Sequence, residues 1–349
     1  MQPVVLTSNR PRSFYRGAGR IDQFRGIAGT GDPYFPEDWV ASTTSRFNAT
    51  PAGLTTLPDG RLLATAIAED PIWWLGPRHV ERHGADPTIL VKLLDAGERL
   101  PLHVHPNRKF AADHLASPYG KTEAWVIIDA EPGAVVHLGF SRDIEAAELD
   151  RWVERQDVAE MLAHTNQVPV RAGDAILCPA GLPHAIGGGI FLVEVQEPTD
   201  FSVLLEWQGY AIDGPSAGHL GLGFDEALRC VDRSAWSTHR LADLARDLES
   251  SDVVGRGTSA KQMRPGVRPL FPESADDFFA AARVRPNPVS TLDAGFSVLI
   301  VLTGAGVIDS EHGDPLTVRA GDTILVPYAC GRFTVRGDVE ATWCGPGRI

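Results

Sequence analysis

Two histidines, His103 and His105, stand two residues apart in the segment Leu-His-Val-His-Pro. In a β-strand, residues i and i+2 point to the same face, so both imidazoles can enter one interior. A carboxylate follows at Glu123, in a run whose alternate members Trp125 and Ile127 are apolar. Burying that carboxylate on an apolar face is costly unless a cation compensates its charge. These residue types and their spacing indicate a metal site.

His184 supplies a third imidazole, directly after the segment Pro-Ala-Gly-Leu-Pro. Each of these residues taken alone is more often a surface or structural residue than a ligand. Their joint occurrence is much rarer, and three imidazoles with one carboxylate suit Zn²⁺, Fe²⁺, Mn²⁺ or Ni²⁺. We therefore predict that His103, His105, Glu123 and His184 hold one divalent metal, whose identity the residue types leave open.

A ten-residue segment occurs twice in the chain. Val170–Pro179 and Val318–Pro327 are identical at eight of ten positions, at an offset of 148 residues. In each copy Gly-Asp makes a tight turn, a short apolar strand follows, and proline ends it. This pattern is typical of jelly-roll β-barrels, which include the cupins. Two copies predict two barrels, and Arg332 stands where the first copy has His184, so we expect metal in the first barrel alone.

Short apolar runs punctuated by abundant glycine (35) and proline (26) predict a mainly β protein. The predicted strands are Ile89–Leu94, Glu123–Asp129, Ala134–Leu138, Ala175–Cys178, Ile190–Gln196, Ser202–Trp207, Phe296–Leu302, Thr323–Pro327 and Phe333–Val335. Helical periodicity predicts an insertion at Asp143–Val153 and Val158–His164, and a connector at Phe224–Val231 and Thr238–Leu248.

These elements predict three regions along the chain. Residues 1–215 hold an N-terminal segment and the metal-binding cupin barrel, with the helical insertion at about 143–165. Residues 216–262 form a helical connector and a linker, for which the Ser-, Gly- and charge-rich stretch Glu249–Lys261 is the candidate. Residues 263–349 form a second, metal-free cupin barrel.

Composition limits the classes of partner. The net charge of -13 argues against nonspecific nucleic-acid binding, which needs clustered basic residues. No run approaches the roughly 20 apolar residues that span a bilayer, so we expect no membrane association. The start of the chain lacks the pattern of a secretory signal, and the four cysteines have neither CxxC spacing nor a disulfide-framework pattern. A cytoplasmic location with reduced thiols is the expectation.

Several segments together resemble one known family. Leu90–Asn107, Gly120–Trp125, Pro179–Ile190 and Leu192–Gln196 are similar, in order and spacing, to the metal segments of the type I mannose-6-phosphate isomerases. The resemblance covers roughly Ile89–Trp207. It implies a pair of cupin barrels with a helical region, and zinc as the metal.

The resemblance also assigns ligands. The family's Gln, His, Glu and His ligands fall on His103, His105, Glu123 and His184, so that His103 replaces an amide oxygen with an imidazole nitrogen. That change favours binding of a borderline metal. It also gives a ligand set shared with many other cupins, so Mn²⁺, Fe²⁺ and Ni²⁺ stay as alternatives to zinc.

The function implied by the resemblance is metal-dependent aldose–ketose isomerisation of a sugar or sugar phosphate through a cis-enediol, by a monomer or homodimer. Glu194 is the expected base or proton shuttle, with the orientation of a ligand histidine as an equal alternative. Lys121 is expected to stabilise the oxyanion or to meet a phosphate.

Two positions depart from the family and bear on the substrate. Leu204 and Tyr210 stand where members of the family often carry arginine, the usual bidentate partner of phosphate. These two departures from the family therefore predict a sugar other than mannose 6-phosphate, with Tyr210 stacking on a neutral ring. The alternative is that Arg108, Lys109 or Lys121 binds the phosphate. An Fe or Mn cupin oxygenase and a non-catalytic sugar-binding cupin are the alternative functions.

Overall fold

The computed structural model describes residues 2–247 and 264–348, so the predicted linker lies outside the described part. The strands are β1 Val4–Val5, β2 Glu37–Val40, β3 Leu90–Ala96, β4 His103–Val104, β5 Glu123–Ala130, β6 Val135–Phe140, β7 Thr165–Pro169, β8 Asp174–Cys178, β9 His184–Ile186, β10 Ile190–Gln196, β11 Val203–Leu204, β12 Ala245–Asp247, β13 Val267–Pro269, β14 Phe279–Val284, β15 Val289–Leu292, β16 Ser297–Ser310, β17 Leu316–Arg319, β18 Thr323–Val326 and β19 Phe333–Pro346. The helices are α1 Arg20–Arg25, α2 Leu63–Glu69, α3 Pro71–Leu75, α4 Pro77–His83, α5 Arg108–His114, α6 Ala146–Arg155, α7 Val158–Ala163, α8 Gly214–Ala217, α9 Phe224–Ala227 and α10 Thr238–Ala242. The mainly β prediction is confirmed.

The strands form three sheets. One has the order β12-β8-β5-β10-β3-β2, and a second has the order β11-β4-β9-β6-β7. The third has the order β1-β18-β16-β19-β14-β13, with β15 joined to β19 and β17 joined to β16. Buried side chains of the first sheet pack with Val136, Leu138 and Ile186 of the second sheet in one hydrophobic cluster, which also takes in residues of the third sheet. Val104, Phe140, Ala185 and Val203 of the second sheet belong to another cluster. The predicted metal ligands lie on strands of the first two sheets, except His105, which directly follows β4.

The central strands of the first sheet are covered on both faces. All seven residues of β3 and all seven of β10 are buried. Such strands are expected to be continuous apolar runs, yet β3 contains Lys92 and β10 contains Glu194. Charged side chains in this position require partners inside the protein.

The two copies of the repeat make the same turn. The backbone N–H of Arg171 donates to the Asp174 carboxylate at 2.9 Å, and that of Arg319 donates to the Asp322 carboxylate at 2.9 Å. The glycine before each aspartate has a positive φ, 91° and 90°, which favours glycine. Identical residues thus produce identical local structure in β8 and β18, whereas the division into two barrels stays a prediction.

Several predicted elements differ from the observed ones. The predicted strands Phe296–Leu302 and Phe333–Val335 correspond to the beginnings of the 14-residue strands β16 and β19. The predicted helix Thr238–Leu248 ends at Ala242, and Ala245–Asp247 instead forms β12, because hydrogen bonding to β8 at the sheet edge overrides helical periodicity. The predicted strand Ser202–Trp207 shortens to β11. The predicted helix Phe224–Val231 is α-helical only as far as Ala227, and a short 3₁₀ helix follows at Leu228–Cys230.

The N-terminal segment is joined to the C-terminal sheet. β1 pairs with β18, with Val4 opposite Leu325. The Arg25 guanidinium forms an ion pair with the fully buried Asp38 and donates to Thr323 Oγ1 at 3.0 Å. One buried ion pair therefore links helix α1, strand β2 and strand β18.

Replacement of Asp38 by asparagine should lower the free energy of unfolding by about 3 kcal/mol, because it leaves the buried Arg25 guanidinium without its counter-charge. The matched control is Asp59→Asn, which breaks an exposed pair with Arg61 and should cost less than about 1 kcal/mol. Urea unfolding measures both variants. Equal losses in the two would contradict the structural role given to Asp38.

Candidate metal centre

Three imidazoles meet between two neighbouring strands of the second sheet. His103 on β4 is the direct cross-strand partner of His184 on β9, and His105 follows the end of β4. The ring centroids of His103 and His184 lie 4.2 Å apart, and His105 lies 4.9 Å and 4.8 Å from them. All three rings are buried.

The same kind of hydrogen bond orients each histidine ring. Every Nδ1 lies within hydrogen-bonding distance of a backbone carbonyl, which can only accept, so Nδ1 carries the proton and Nε2 keeps a lone pair that can accept a hydrogen bond or bind a metal. The acceptors for His103, His105 and His184 are the carbonyl oxygens of Pro101, Phe201 and Leu182, at 2.8, 2.6 and 2.8 Å respectively. Backbone partners of this kind fix ring orientation and tautomer in metal sites.

Glu123, the first residue of β5, brings its carboxylate to the same point. One oxygen lies 3.0 Å from His105 Nε2, and the other lies 3.3 Å from His184 Nε2. Lys121 Nζ donates to the first oxygen at 2.8 Å, and the Trp125 indole donates to the second at 3.0 Å. The carboxylate is therefore held in place by residues two positions before and after it.

The donor set fits a divalent cation. The Lys121 ammonium lies between His105 Nε2 and one Glu123 oxygen. His184 Nε2 faces the other Glu123 oxygen at 3.3 Å, and two acceptors that face one another are stable when a cation lies between them. His184 Nε2 is buried and has no hydrogen-bond partner. His103, His105 and His184 form one group of donor atoms that could hold an ion.

A cysteine lies beside these ligands. Glu123, Cys178 and His184 form a second group of donor atoms within reach of one ion. Burial raises the pKa of the Cys178 thiol well above its usual value, which keeps it in the neutral form that binds metals poorly. Imidazole and carboxylate ligands are thus favoured over the thiol.

The corresponding positions in the C-terminal sheet carry no such set. Val326 occupies the position of Cys178 in the repeat. The cross-strand partner of Cys178 is Glu123, whereas the partner of Val326 is Ser297, so a serine replaces the ligand carboxylate. Arg332, at the position of His184 in the repeat, has an exposed side chain near Glu311. Within residues 2–247 and 264–348, both groups of candidate metal ligands lie on strands of the first two sheets or, for His105, directly after β4.

Electrostatics favours the unprotonated ligands. Burial, together with the neighbouring histidines and Lys121, holds the pKa of His103 well below its usual value. Burial and then Lys121 lower the pKa of His105 to about 3. Burial alone would raise the pKa of Glu123, but Lys121 and His105 outweigh it and hold that pKa well below its usual value. These ligands need not lose protons at neutral pH when a metal binds.

A chain of buried charges adjoins the centre. Lys92 Nζ lies 3.0 Å from the Glu194 carboxylate and 3.4 Å from that of Glu37. Glu37 in turn accepts from the Tyr15 hydroxyl at 2.6 Å and from the Trp39 indole at 2.7 Å. Burial, and then the charge of Glu123, raise the pKa of Glu194.

A small cavity, the inner cavity, opens onto the centre. Its lining includes His103, Glu123, Lys121, Glu194 and Leu204. The structure thus brings together the four predicted ligands and both predicted catalytic residues.

The other predicted substrate-binding residues lie elsewhere. Arg108 pairs with Glu197 and donates to the Asp277 carbonyl. The Lys109 side chain is 84% exposed and pairs with its own helix. The Tyr210 hydroxyl donates to the Arg99 carbonyl at 2.6 Å. None of Arg108, Lys109 and Tyr210 lines the inner cavity.

Sequence reasoning missed several polar residues of the inner cavity, including Glu37 on β2 and Lys92 on β3. Tyr15, Arg46 and Asp200 also line it, and all three lie outside the strands. No local pattern distinguishes them, because loop residues have no periodicity that predicts where they point.

The described helices include none that combines the length and the hydropathy needed to cross a membrane.

Comparison with known proteins gives one consistent result. No protein-family model matches the sequence. Mannose-6-phosphate isomerase ManA of Bacillus subtilis is 33% identical over 273 residues, which is 76% of this chain and 78% of that protein. The mannose-6-phosphate isomerase of Streptococcus mutans is 31% identical over 173 residues, 48% of this chain and 52% of that protein.

Solved structures agree in fold over the whole chain. The crystal structure of the mannose 6-phosphate isomerase from Bacillus subtilis has a TM-score of 0.73 at 20% identity, and covers 99% of both chains. A mannose 6-phosphate isomerase bound with zinc and yttrium has a TM-score of 0.72 at 14% identity, and covers 100% of both chains. At these identities the likeness shows the cupin fold and no more.

Protein as purified should contain close to one divalent metal per chain, and His105→Ala with His184→Ala should remove it, since two of the three imidazoles are lost. Elemental analysis by mass spectrometry measures the metal. His137→Ala is the matched control, because it removes a buried histidine that bonds Thr165 instead. Stoichiometric metal in the double variant would contradict the site.

The metal-free protein should lose stability as the pH falls from 7 to 5. The pKa values of His103 and His105 are lower in the folded state than their usual 6.5, so the unfolded chain binds more protons in this range and gains stability relative to the folded one. The expected loss is on the order of 2 kcal/mol for each histidine.

Urea unfolding of chelator-treated protein at the two pH values measures this loss. The variant His103→Asn with His105→Asn should show a flatter dependence on pH. A wild-type stability that is constant or rises toward pH 5 would refute the assignment of neutral, buried imidazoles.

Proposed function

Because this chain belongs to the family of mannose-6-phosphate isomerases, and is thus a metal-dependent sugar isomerase, we propose that it interconverts mannose 6-phosphate and fructose 6-phosphate. The observation that carries the proposal is the cluster of three imidazoles and Glu123 beside the cavity that His103, Lys121 and Glu194 line. The reaction moves a proton between C1 and C2 of the sugar, which requires a base and a partner for the oxygen that becomes negative.

We propose that His103, His105, Glu123 and His184 hold the metal, with zinc as its identity. Support for zinc comes from the donor set and from the zinc-bound structure of similar fold. When bound there, the metal would polarise a sugar oxygen while negative charge develops on it. Mn²⁺, Fe²⁺ and Ni²⁺ have the same ligand preferences, so metal analysis decides among the four.

Glu194 is the proposed base. Burial and the charge of Glu123 raise the pKa of Glu194, and a carboxylate with a raised pKa is a stronger base. Its ion pair with Lys92 fixes the direction of the carboxylate. Since that partner is a lysine and no contact with a ligand histidine is described, the role of base is favoured over the orientation of a ligand.

Lys121 is the proposed partner of the developing oxyanion. Its ammonium bonds His105 Nε2 at 2.9 Å and the Glu123 carboxylate at 2.8 Å. One lone pair on His105 cannot serve both an ammonium and a metal ion. When His105 binds metal, Lys121 therefore frees a donor, which faces the inner cavity and can bind a substrate oxygen.

A phosphorylated substrate is consistent with the cavity. The expectation of a neutral sugar rested on Leu204 and Tyr210 in place of arginines. Leu204 lines the inner cavity, but Arg46 lines it as well, so a guanidinium is available from a different part of the chain. Because the curated relatives are isomerases, isomerisation is favoured over an Fe or Mn cupin oxygenase and over a non-catalytic sugar-binding cupin. The buried, unbridged cysteines support a cytoplasmic location.

Glu194→Gln should lower kcat roughly a hundredfold to ten-thousandfold, with metal content unchanged, because an amide cannot accept the proton. Fructose 6-phosphate formation from mannose 6-phosphate measures the rate. The control is Glu206→Gln, which alters a buried carboxylate paired with Arg99 outside the inner cavity and should keep most of the activity. Normal kcat in Glu194→Gln, or loss of its metal, would rule out the role of base.

A further inference from the structure

The inner cavity is too small for a whole sugar phosphate. Its volume is about 50 Å³, whereas small-molecule sites usually measure roughly 300–1,000 Å³. A second cavity of about 590 Å³, the outer cavity, lies beside it. Its lining includes Ser45, Asn48, Asp86 and Tyr119. A substrate whose reacting carbons lie beside the ligand histidines must therefore extend outward from the inner cavity.

One ion pair separates the two cavities. Arg46 and Asp200 line both of them, and Arg46 Nε lies 3.5 Å from the Asp200 carboxylate. Asp200 also accepts from the backbone N–H of Phe47 at 3.1 Å. A substrate that reaches from the ligand histidines into the outer cavity must pass this pair.

Arg46 is held in position and keeps donors to spare. Its side chain is 19% exposed, and its guanidinium also donates to the backbone carbonyl of Arg12. A guanidinium has five N–H donors in a planar fork, and the contacts with Asp200 and Arg12 need two. The remaining donors suit a bidentate acceptor such as phosphate.

The other cations of the inner cavity, Lys92 and Lys121, do not line the outer cavity, whereas Arg46 lines both. Lys92 lies between Glu37 and Glu194, and Lys121 contacts Glu123. The Asp86 carboxylate lines the outer cavity and accepts from the backbone N–H of Thr88. Its negative charge would repel an anion on that side of the cavity. Arg46 is therefore the group to which an anion at the junction would bind.

We propose that Arg46 binds the phosphate group at the far end of the substrate and thereby selects the phosphorylated sugar over the neutral one. This assignment rests on the proposed function, since it takes the reacting carbons to lie at the ligand histidines. Arg46 acts as a specificity residue here, and it takes no part in the proton transfer that Glu194 carries out.

The test compares mannose 6-phosphate with mannose as substrates of metal-loaded wild type, Arg46→Gln and Arg46→Lys. Arg46→Gln should lose roughly tenfold to a hundredfold in kcat/KM for the phosphate ester, mainly through KM, because a charge-assisted bond is lost. The value for mannose should stay unchanged. Arg46→Lys should fall between the two, since lysine keeps the charge and loses the bidentate fork.

Arg61→Gln is the matched control, because it removes an exposed arginine that pairs with Asp59 and Glu69 and should leave both substrates unaffected. Calorimetric titration of inorganic phosphate into wild type and Arg46→Gln gives a readout without turnover, with weaker binding expected in the variant.

Two outcomes overturn the assignment: equal loss of kcat/KM for both substrates in Arg46→Gln, or phosphate binding that the substitution leaves unchanged. Failure of the proposed function is distinct, because the wild type would then isomerise neither sugar. In that case the phosphate titration still decides whether Arg46 binds the anion.

Discussion

The metal centre depends on three hydrogen bonds from histidine rings to backbone carbonyls. The acceptors belong to Pro101, Leu182 and Phe201, which lie in three separate segments of the chain. Each bond fixes both the direction of a ring and the nitrogen that carries its proton. With all three in place, the Nε2 lone pairs converge on one point. The fold is therefore needed to bring three carbonyls, as well as three histidines, to that point.

The same fold buries an unusual number of charges, and it does so in matched groups. Lys92 on β3 and Glu194 on β10 are direct cross-strand partners, and Glu37 on β2 completes the group from the other side of β3. A buried charge without a partner would cost several kcal/mol. Because the paired charges restrict one another, the Glu194 carboxylate is oriented before any substrate arrives, which is the condition for efficient general-base catalysis.

The sequence predicts correctly those elements and site residues that depend on patterns of neighbouring residues in the chain. The spacing of His103 and His105 and the alternation around Glu123 predict the ligand cluster, and β10 has the bounds Ile190–Gln196 that its apolar run predicts. The sequence does not predict elements and side-chain positions that depend on contacts between distant parts of the chain. β12 exists because it pairs with β8, and Arg46 reaches the cavity from a loop that no pattern directs. The short helices near the N-terminus were missed for the same reason, although the cap of α3, in which Asp70 accepts from Trp73 N–H, is readable from Asp-Pro.

X-ray absorption at the metal edge of the purified protein tests the central claim most directly, because it reports ligand type without reference to activity. The account predicts a shell of nitrogen and oxygen at about 2.0–2.2 Å, with the outer-shell scattering of three imidazoles. The neighbouring thiol of Cys178 should be absent from that shell. A sulfur scatterer at about 2.3 Å, or fewer than three imidazoles, would contradict the convergence of His103, His105 and His184 on one ion.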